Sequence, residues 1–332
     1  MQSKEWLGLD IGGANLKAAF LGRGGVEVPF ALWRNPEKLA DNLKKLRGHF
    51  FGTTHIAVTM TGELCDCFQS KAEGVLHIID AVQEAFADCQ VFYWTTNGSW
   101  LNSTKAGFNP YSLAASNWLA LAWWVAWNLV KKNALLIDMG STTTDIIALQ
   151  KNGVLSESRD DRSRLQSGEL VYTGFTRTPV CAVVQELLCA ELFANVLDAH
   201  LVLGEIEEDS NRFDTADGRA WTIDCAHARL ARMLGADQVT SSVNDRLCLA
   251  RQVSDKQWDL IQHGIGKVMQ VLPQPEAFIL AGQGARWVGK NLEKFKGFNS
   301  PSIIYIDEVW QADLGRIACA QAVALLAESM VP

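Results

Sequence analysis

Two widely separated stretches carry the same succession of apolar and polar positions. The runs Trp6-Leu7-Gly8-Leu9 and Ala134-Leu135-Leu136-Ile137 each end in an aspartate and a glycine turn. The first continues as Asp10-Ile11-Gly12-Gly13-Ala14-Asn15, the second as Asp138-Met139-Gly140-Ser141-Thr142-Thr143-Thr144-Asp145. β-Prone stretches return at 16–21 and 146–149, so the pattern predicts two hairpins. Their strands are expected over 4–10 and 14–22, and over 134–138 and 143–150. Third strands are expected at 25–33, after the turn Gly22-Arg23-Gly24-Gly25, and at 153–158, after Gly153. A tip built from glycine and hydroxyl residues exposes backbone N–H groups that can cradle phosphate oxygens. An adjacent aspartate can hold a cation beside them.

The remaining pattern completes two similar halves. A helix from Pro36 to about Arg47, a strand at 54–59, a helix near 76–87 and a strand at 89–94 follow the first meander. Strands in a meander followed by helix, strand, helix, strand make an RNase H-like lobe. A long helix over 110–132 is expected to cross between the lobes. After the second meander come a helical insert at about 180–270, a strand at 277–280 and the turn Ala281-Gly282-Gln283-Gly284. A helix, a strand at 302–306 and a helix at 309–329 close the chain. The fold class is therefore α/β, with two RNase H-like lobes facing each other across a cleft. The first lobe covers residues 1–112 and the second 113–308, with the final segment 309–332 packing back on the first.

Composition narrows the function. A chain of 332 residues, 48% hydrophobic and 20% charged, can bury two sizeable cores. A net charge of -7 argues against a nucleic-acid partner. The eight cysteines are scattered without a CxxC pair, which fits reduced thiols in a cytoplasmic protein. The apolar segment 119–130 is too short to span a bilayer and reads as a buried helix, so no membrane partner is expected. Residues 1–5 lack the apolar stretch of a signal peptide. The six histidines show no metal spacing. Trp123, Trp124 and Trp127 read as core, in a helix that could contribute to a homodimer surface. The run 159–164 reads as a solvated face from which one arginine could reach a bound phosphate.

The whole arrangement resembles the actin-like ATPase superfamily of sugar kinases, Hsp70 and hydantoinase/oxoprolinase proteins. Gly12, Gly13, Asn15 and Lys17 correspond to its first phosphate loop, and Gly140, Ser141, Thr142, Thr143 and Thr144 to its second. Gly282, Gln283 and Gly284 correspond to the glycine turn beside the nucleoside. A narrower resemblance lies in Val58-Thr59-Met60-Thr61-Gly62-Glu63-Leu64-Cys65-Asp66, Ala114-Ala115-Ser116-Asn117-Trp118, the run 168–174 with Arg177-Thr178-Pro179, and Thr215-Ala216-Asp217-Gly218-Arg219. These segments are similar to a hydantoinase/oxoprolinase-related subfamily linked to tetrahydromethanopterin-dependent C1 metabolism and methanofuran biosynthesis.

That resemblance implies a transferase in which a phenol oxygen displaces diphosphate from a furfuryl carbon, giving an aryl ether. The substrates would be an aminomethylfuran diphosphate and a tyramine, tyrosine or glutamyl-tyramine unit. Mg²⁺ near Asp10 and Asp138, with Lys17, would neutralise the diphosphate. Glu63, Asp66 and Asp145 are the candidate bases, Glu63 first, and Asn117 and Arg177 the candidate substrate contacts. ATP is not required by this reading. Two others stay open: an ATP-dependent small-molecule kinase using Asp66, and a non-catalytic nucleotide switch.

Overall fold

The computed structural model describes residues 5–272, 274–294, 301–310 and 312–331. Residue 4 of the first expected strand and residues 311 and 332 of the final segment lie outside the described residues.

Two sheets organise the chain. The first contains β1 (Trp6–Ile11), β2 (Asn15–Phe20), β3 (Gly24–Pro29), β4 (His55–Met60), β5 (Gln90–Trp94) and β6 (Trp100–Asn102), in the order β3-β2-β1-β4-β5-β6. The second contains β7 (Asn133–Met139), β8 (Thr144–Gln150), β9 (Gly153–Val154), β10 (Leu170–Val171), β11 (Ala277–Ala281) and β12 (Ser302–Tyr305), in the order β10-β8-β7-β11-β12 with β9 also on β8. β2 and β8 run antiparallel to β1 and β7, whereas β4 and β11 run parallel to them. This is one RNase H-like topology used twice, the architecture of the actin-like ATPases.

Strand alternation decides where the polar residues go. Leu7, Leu9 and Ile11 face a core shared with the helices Leu39–Arg47 and Lys71–Ala85. Trp6 joins a different core between the lobes, made with the helices Asn117–Asn128 and Ala318–Met330. Gly8 lies on that same inner side, where a Cβ would collide with the backbone of Ala320, so glycine lets the C-terminal helix approach β1 closely. β7 repeats the scheme. Leu135, Ile137 and Met139 face a core with the helices Val243–Val268 and Ala285–Lys294, while Ala134 and Leu136 face the interlobe core. Asp10 and Asp138 therefore emerge on the inner sides of their sheets, toward each other.

Several expected elements take a different form. The third strand of the second meander is split: β9 pairs with the far end of β8, the chain leaves as the short helix Asp161–Ser167, and β10 returns opposite Thr144 and Asp145. The 110–132 helix is interrupted. A 3-10 turn at Pro110–Ser112 is followed by Ala115 in the left-handed region (φ 49°), and the helix proper starts at Asn117 and stops at Asn128, before Lys131. Trp118, Trp123 and Trp124 pack into the interlobe core, whereas Trp127, expected there, is 39% exposed and packs edge-on against Trp123. The 180–270 insert comprises four helices, and the last of them, Val243–Val268, sends Ile261 and Ile265 into the core of the second sheet. Instead of one helix over 309–329, the chain forms Ile306–Val309, Ala312–Gly315 and Ala318–Met330.

Candidate active site

A cavity of about 550 Å³ opens between the lobes and is lined by both hairpin tips. The tips share a frame. Gly12 N–H donates to Asn15 O at 3.0 Å, and Gly140 N–H donates to Thr143 O at 2.9 Å. Asp10 faces Lys17 across the first hairpin, and Asp138 faces Asp145 across the second. Gly12, Gly13, Asn15 and Lys17 line the cavity, as do Gly140, Ser141, Thr142 and Thr143.

Thr144 does not join them. In the shared frame it matches Leu16, so its side chain points to the outer core; it is fully buried and its hydroxyl donates to Thr173 O at 2.7 Å. Thr144 is a structural residue. Gly284 is also absent from the cavity wall and packs against Met139, whose carbonyl accepts its amide at 3.0 Å. Gly282 and Gln283 do line the cavity, and the positive φ of Gly282 (80°) lets the turn pass beside Asp138.

The carboxylates divide by environment. Asp10 is 4% exposed and burial pushes its pKa up to about 6, against the pull of Lys17. Burial and neighbouring Asp145 push Asp138 up to about 7, and the Cys319 thiol donates to its Oδ2 at 3.8 Å. Burial works against the Lys17 ammonium, but Asp10 and Glu27 outweigh it and raise its pKa. Asp145 is raised by burial and held back by Arg164, whose Nη2 donates to Asp145 Oδ1 at 2.8 Å. That ion pair anchors Asp145, which also lines the cavity. Of the 159–164 run, Arg159, Asp160 and Arg162 are exposed as expected, but Asp160 caps a helix whose Arg164 is 1% exposed, lines the cavity and lies 4.0 Å from the Trp118 ring centroid.

Glu63 is 1% exposed, lines the cavity and has one oxygen, Oε2, without a partner. Burial pushes it up to about 7; the amides of Glu63 and Ala115 and the charge of Lys71 pull the other way. Gly74, inside the helix Lys71–Ala85, admits the Glu63 backbone where any Cβ would collide with it. Asp66 stands exposed at the rim. Asn117 lines the cavity at the helix start and its Oδ1 accepts the Trp118 amide at 2.8 Å. Arg177 also lines the cavity, its guanidinium 5.0 Å from the Trp33 ring centroid.

Trp33, Tyr172, Asp161 and Cys319 line the cavity without having been singled out from the sequence. Tyr172 lies in the 168–174 run and Asp161 in the 159–164 run, while Trp33 and Cys319 belong to no quoted motif. Asp161 pairs with Lys71 of the opposite lobe at 3.2 Å.

Among the described residues no three His, Cys, Asp or Glu side chains converge as a metal cage. The donor set suits Mg²⁺ nonetheless, because that ion takes one or two carboxylates and completes its shell with water and phosphate oxygens. Asp10 Oδ1 is buried without a hydrogen-bond partner, as a carboxylate awaiting a cation would be. Among the described residues no helix is long and apolar enough to cross a membrane, and all eight cysteines are free.

Over 336 aligned positions the chain is 32% identical to the (4-{4-[2-(gamma-L-glutamylamino)ethyl]phenoxymethyl}furan-2-yl)methanamine synthase of Methanocaldococcus jannaschii, covering 98% of each. The chain belongs to this synthase family. A synthase of the same name from Methanococcus vannielii is 28% identical over 205 residues, 59% of this chain and 91% of its own. The hydantoinase/oxoprolinase family model matches residues 55–187, the stretch that carries Glu63, Asn117, the second hairpin and Arg177. Among solved structures, nucleotide-free acetone carboxylase matches with a TM-score of 0.55 at 11% identity, over 95% of this chain and 70% of that one, a likeness of fold alone.

Proposed function

We propose that this enzyme joins an aminomethylfuran diphosphate to the phenol of a tyramine or glutamyl-tyramine unit, in the biosynthesis of a methanofuran-type C1 cofactor. The observation that carries the reading is a single cavity in which two glycine hairpins face a buried, proton-accepting carboxylate, Glu63. The hairpin amides, the hydroxyls of Ser141, Thr142 and Thr143, and Lys17 bind the diphosphate. Mg²⁺ held by Asp10 and Asp138 would neutralise its charge. The phenol oxygen forms a bond to the furfuryl carbon as the bond from that carbon to the diphosphate oxygen breaks, and the electron pair leaves with diphosphate. The phenolic proton passes to Glu63. With a pKa of about 7 that carboxylate is half-ionised near neutrality, which suits a general base.

Diphosphate release tests the reading. Aminomethylfuran diphosphate is mixed with tyrosine, tyramine and glutamyl-tyramine in turn; silence with every acceptor would sink it. Glu63→Gln should lower kcat by about 10² to 10⁴-fold. In the parent enzyme kcat should rise with pH through about 7, and that limb should disappear in the variant. A second reading, an ATP-dependent kinase, draws on Gly282 and Gln283 opening onto the same cavity. Micromolar ATP binding with phosphoryl transfer to an alcohol would favour it over ether formation.

A further inference from the structure

Trp33 and Arg177 come from opposite lobes and meet at the cavity. Leu32, just before Trp33, donates its amide to Gly13 O at 2.9 Å; Arg177 donates its own amide to Ser141 O at 2.9 Å. Gly13 and Ser141 occupy the same place in the two hairpins, three residues after Asp10 and Asp138. Each lobe thus braces its hairpin with the chain that follows β3 or β10, and the two braces end in one cation–ring contact. The Arg177 guanidinium has no hydrogen-bond or ion-pair partner among the described residues, and its central carbon lies over the Trp33 indole, 5.0 Å from the ring centroid. A guanidinium stacks through its faces and donates through its edges. The contact with Trp33 uses none of its N–H groups, so the fork is free to donate to two phosphate oxygens at once.

We propose that Trp33 is a positioning residue for the diphosphate. It aims the Arg177 fork into the cavity before ligand arrives, and it ties the two phosphate hairpins together across the cleft. The ordering of a long, rotamer-rich side chain is then complete before binding, which strengthens affinity without any contact between Trp33 and the ligand. The inference rests on the diphosphate reading of the cavity.

The test is calorimetric titration of inorganic pyrophosphate with Mg²⁺ into the full-length enzyme, alongside steady-state kinetics. Trp33→Leu should weaken pyrophosphate binding and raise KM for the furan diphosphate about tenfold, with kcat changed less than about threefold. Trp33→Phe, which keeps an aromatic face, should recover most of that loss. Arg177→Met should weaken binding at least as much, and adding Trp33→Leu to it should change nothing further. Wild-type affinity in Trp33→Leu, no recovery with Phe, or an undiminished effect of Trp33→Leu in the Arg177→Met background would each overturn the proposal. A wild-type enzyme that binds no pyrophosphate would overturn the diphosphate reading itself, and the positioning role with it.

Discussion

The two hairpins occupy the same backbone frame yet solve the charge problem in opposite ways. In the first, the residue facing the aspartate is Lys17, which offsets Asp10 and points a cation at the cavity. In the second, the facing residue is Asp145, so two carboxylates stand side by side and the cation is imported from a helix, as Arg164. The first hairpin is self-contained. The second depends on the excursion that splits its third strand, because that detour delivers the Asp161–Ser167 helix. The two halves of the fold thus share the geometry of a glycine hairpin but not its electrostatics.

The largest test of equivalence is at the paired aspartates. Asp10→Ala and Asp138→Ala should each abolish turnover while leaving thermal unfolding cooperative; near-normal rates in one alone would mean that a single lobe holds the cation. The asymmetry appears next in stability. Arg164→Met leaves Asp145 buried without its partner and should cost about 3–5 kcal/mol in denaturant unfolding. Arg164→Met combined with Asp145→Leu should restore much of it, and failure to do so would show that Arg164 matters through Trp118 instead.

Protonation gives a third handle. Asp10, Asp138 and Glu63 hold their protons up to about 6, 7 and 7 in the folded chain, against about 4 unfolded. The folded state therefore binds more protons across that interval, so stability is full below about pH 4 and falls as pH rises toward 7. Melting of the ligand-free enzyme should drop between pH 4 and 8. Asp138→Asn should flatten the slope, and Mg²⁺ with pyrophosphate should raise the melting temperature at pH 8. The smallest effect is at Thr144. Replacing it with Val should cost about 1–3 kcal/mol by leaving the Thr173 carbonyl unpaired, with turnover changed less than about twofold. Thr143→Val, on the cavity wall, should instead raise KM.

Much of this was legible in the chain because it is local. An apolar run, an aspartate and a glycine turn encode a hairpin through strand period and turn chemistry alone, and both hairpins stand where the pattern puts them. Thr144 was misassigned because a run of three threonines hides the pleat; counting alternation from Asp138 places it opposite Met139, facing the core. Arg164 was taken for solvent because a charge run is ordinarily solvated, although Asp160 is of a residue type that caps helices. The break at Ala115 has no local signal, since alanine favours helix; it comes with Ser116 being drawn to Thr59 at 2.9 Å. Trp33 reaches the cavity with no motif around it, whereas Tyr172 does so from within the 168–174 run.

The close approach of Ala320 to Gly8 has a consequence for how the molecule is made. The inner face of the first sheet is sealed by a helix that the chain reaches only after the whole second sheet. A nascent chain can fold the outer core of its first lobe early, but Trp6 and Ala57 must wait for Ala318–Met330 to emerge. Until that helix has been made, the inner face of the first sheet lacks its cover, so the first lobe cannot complete this core by itself.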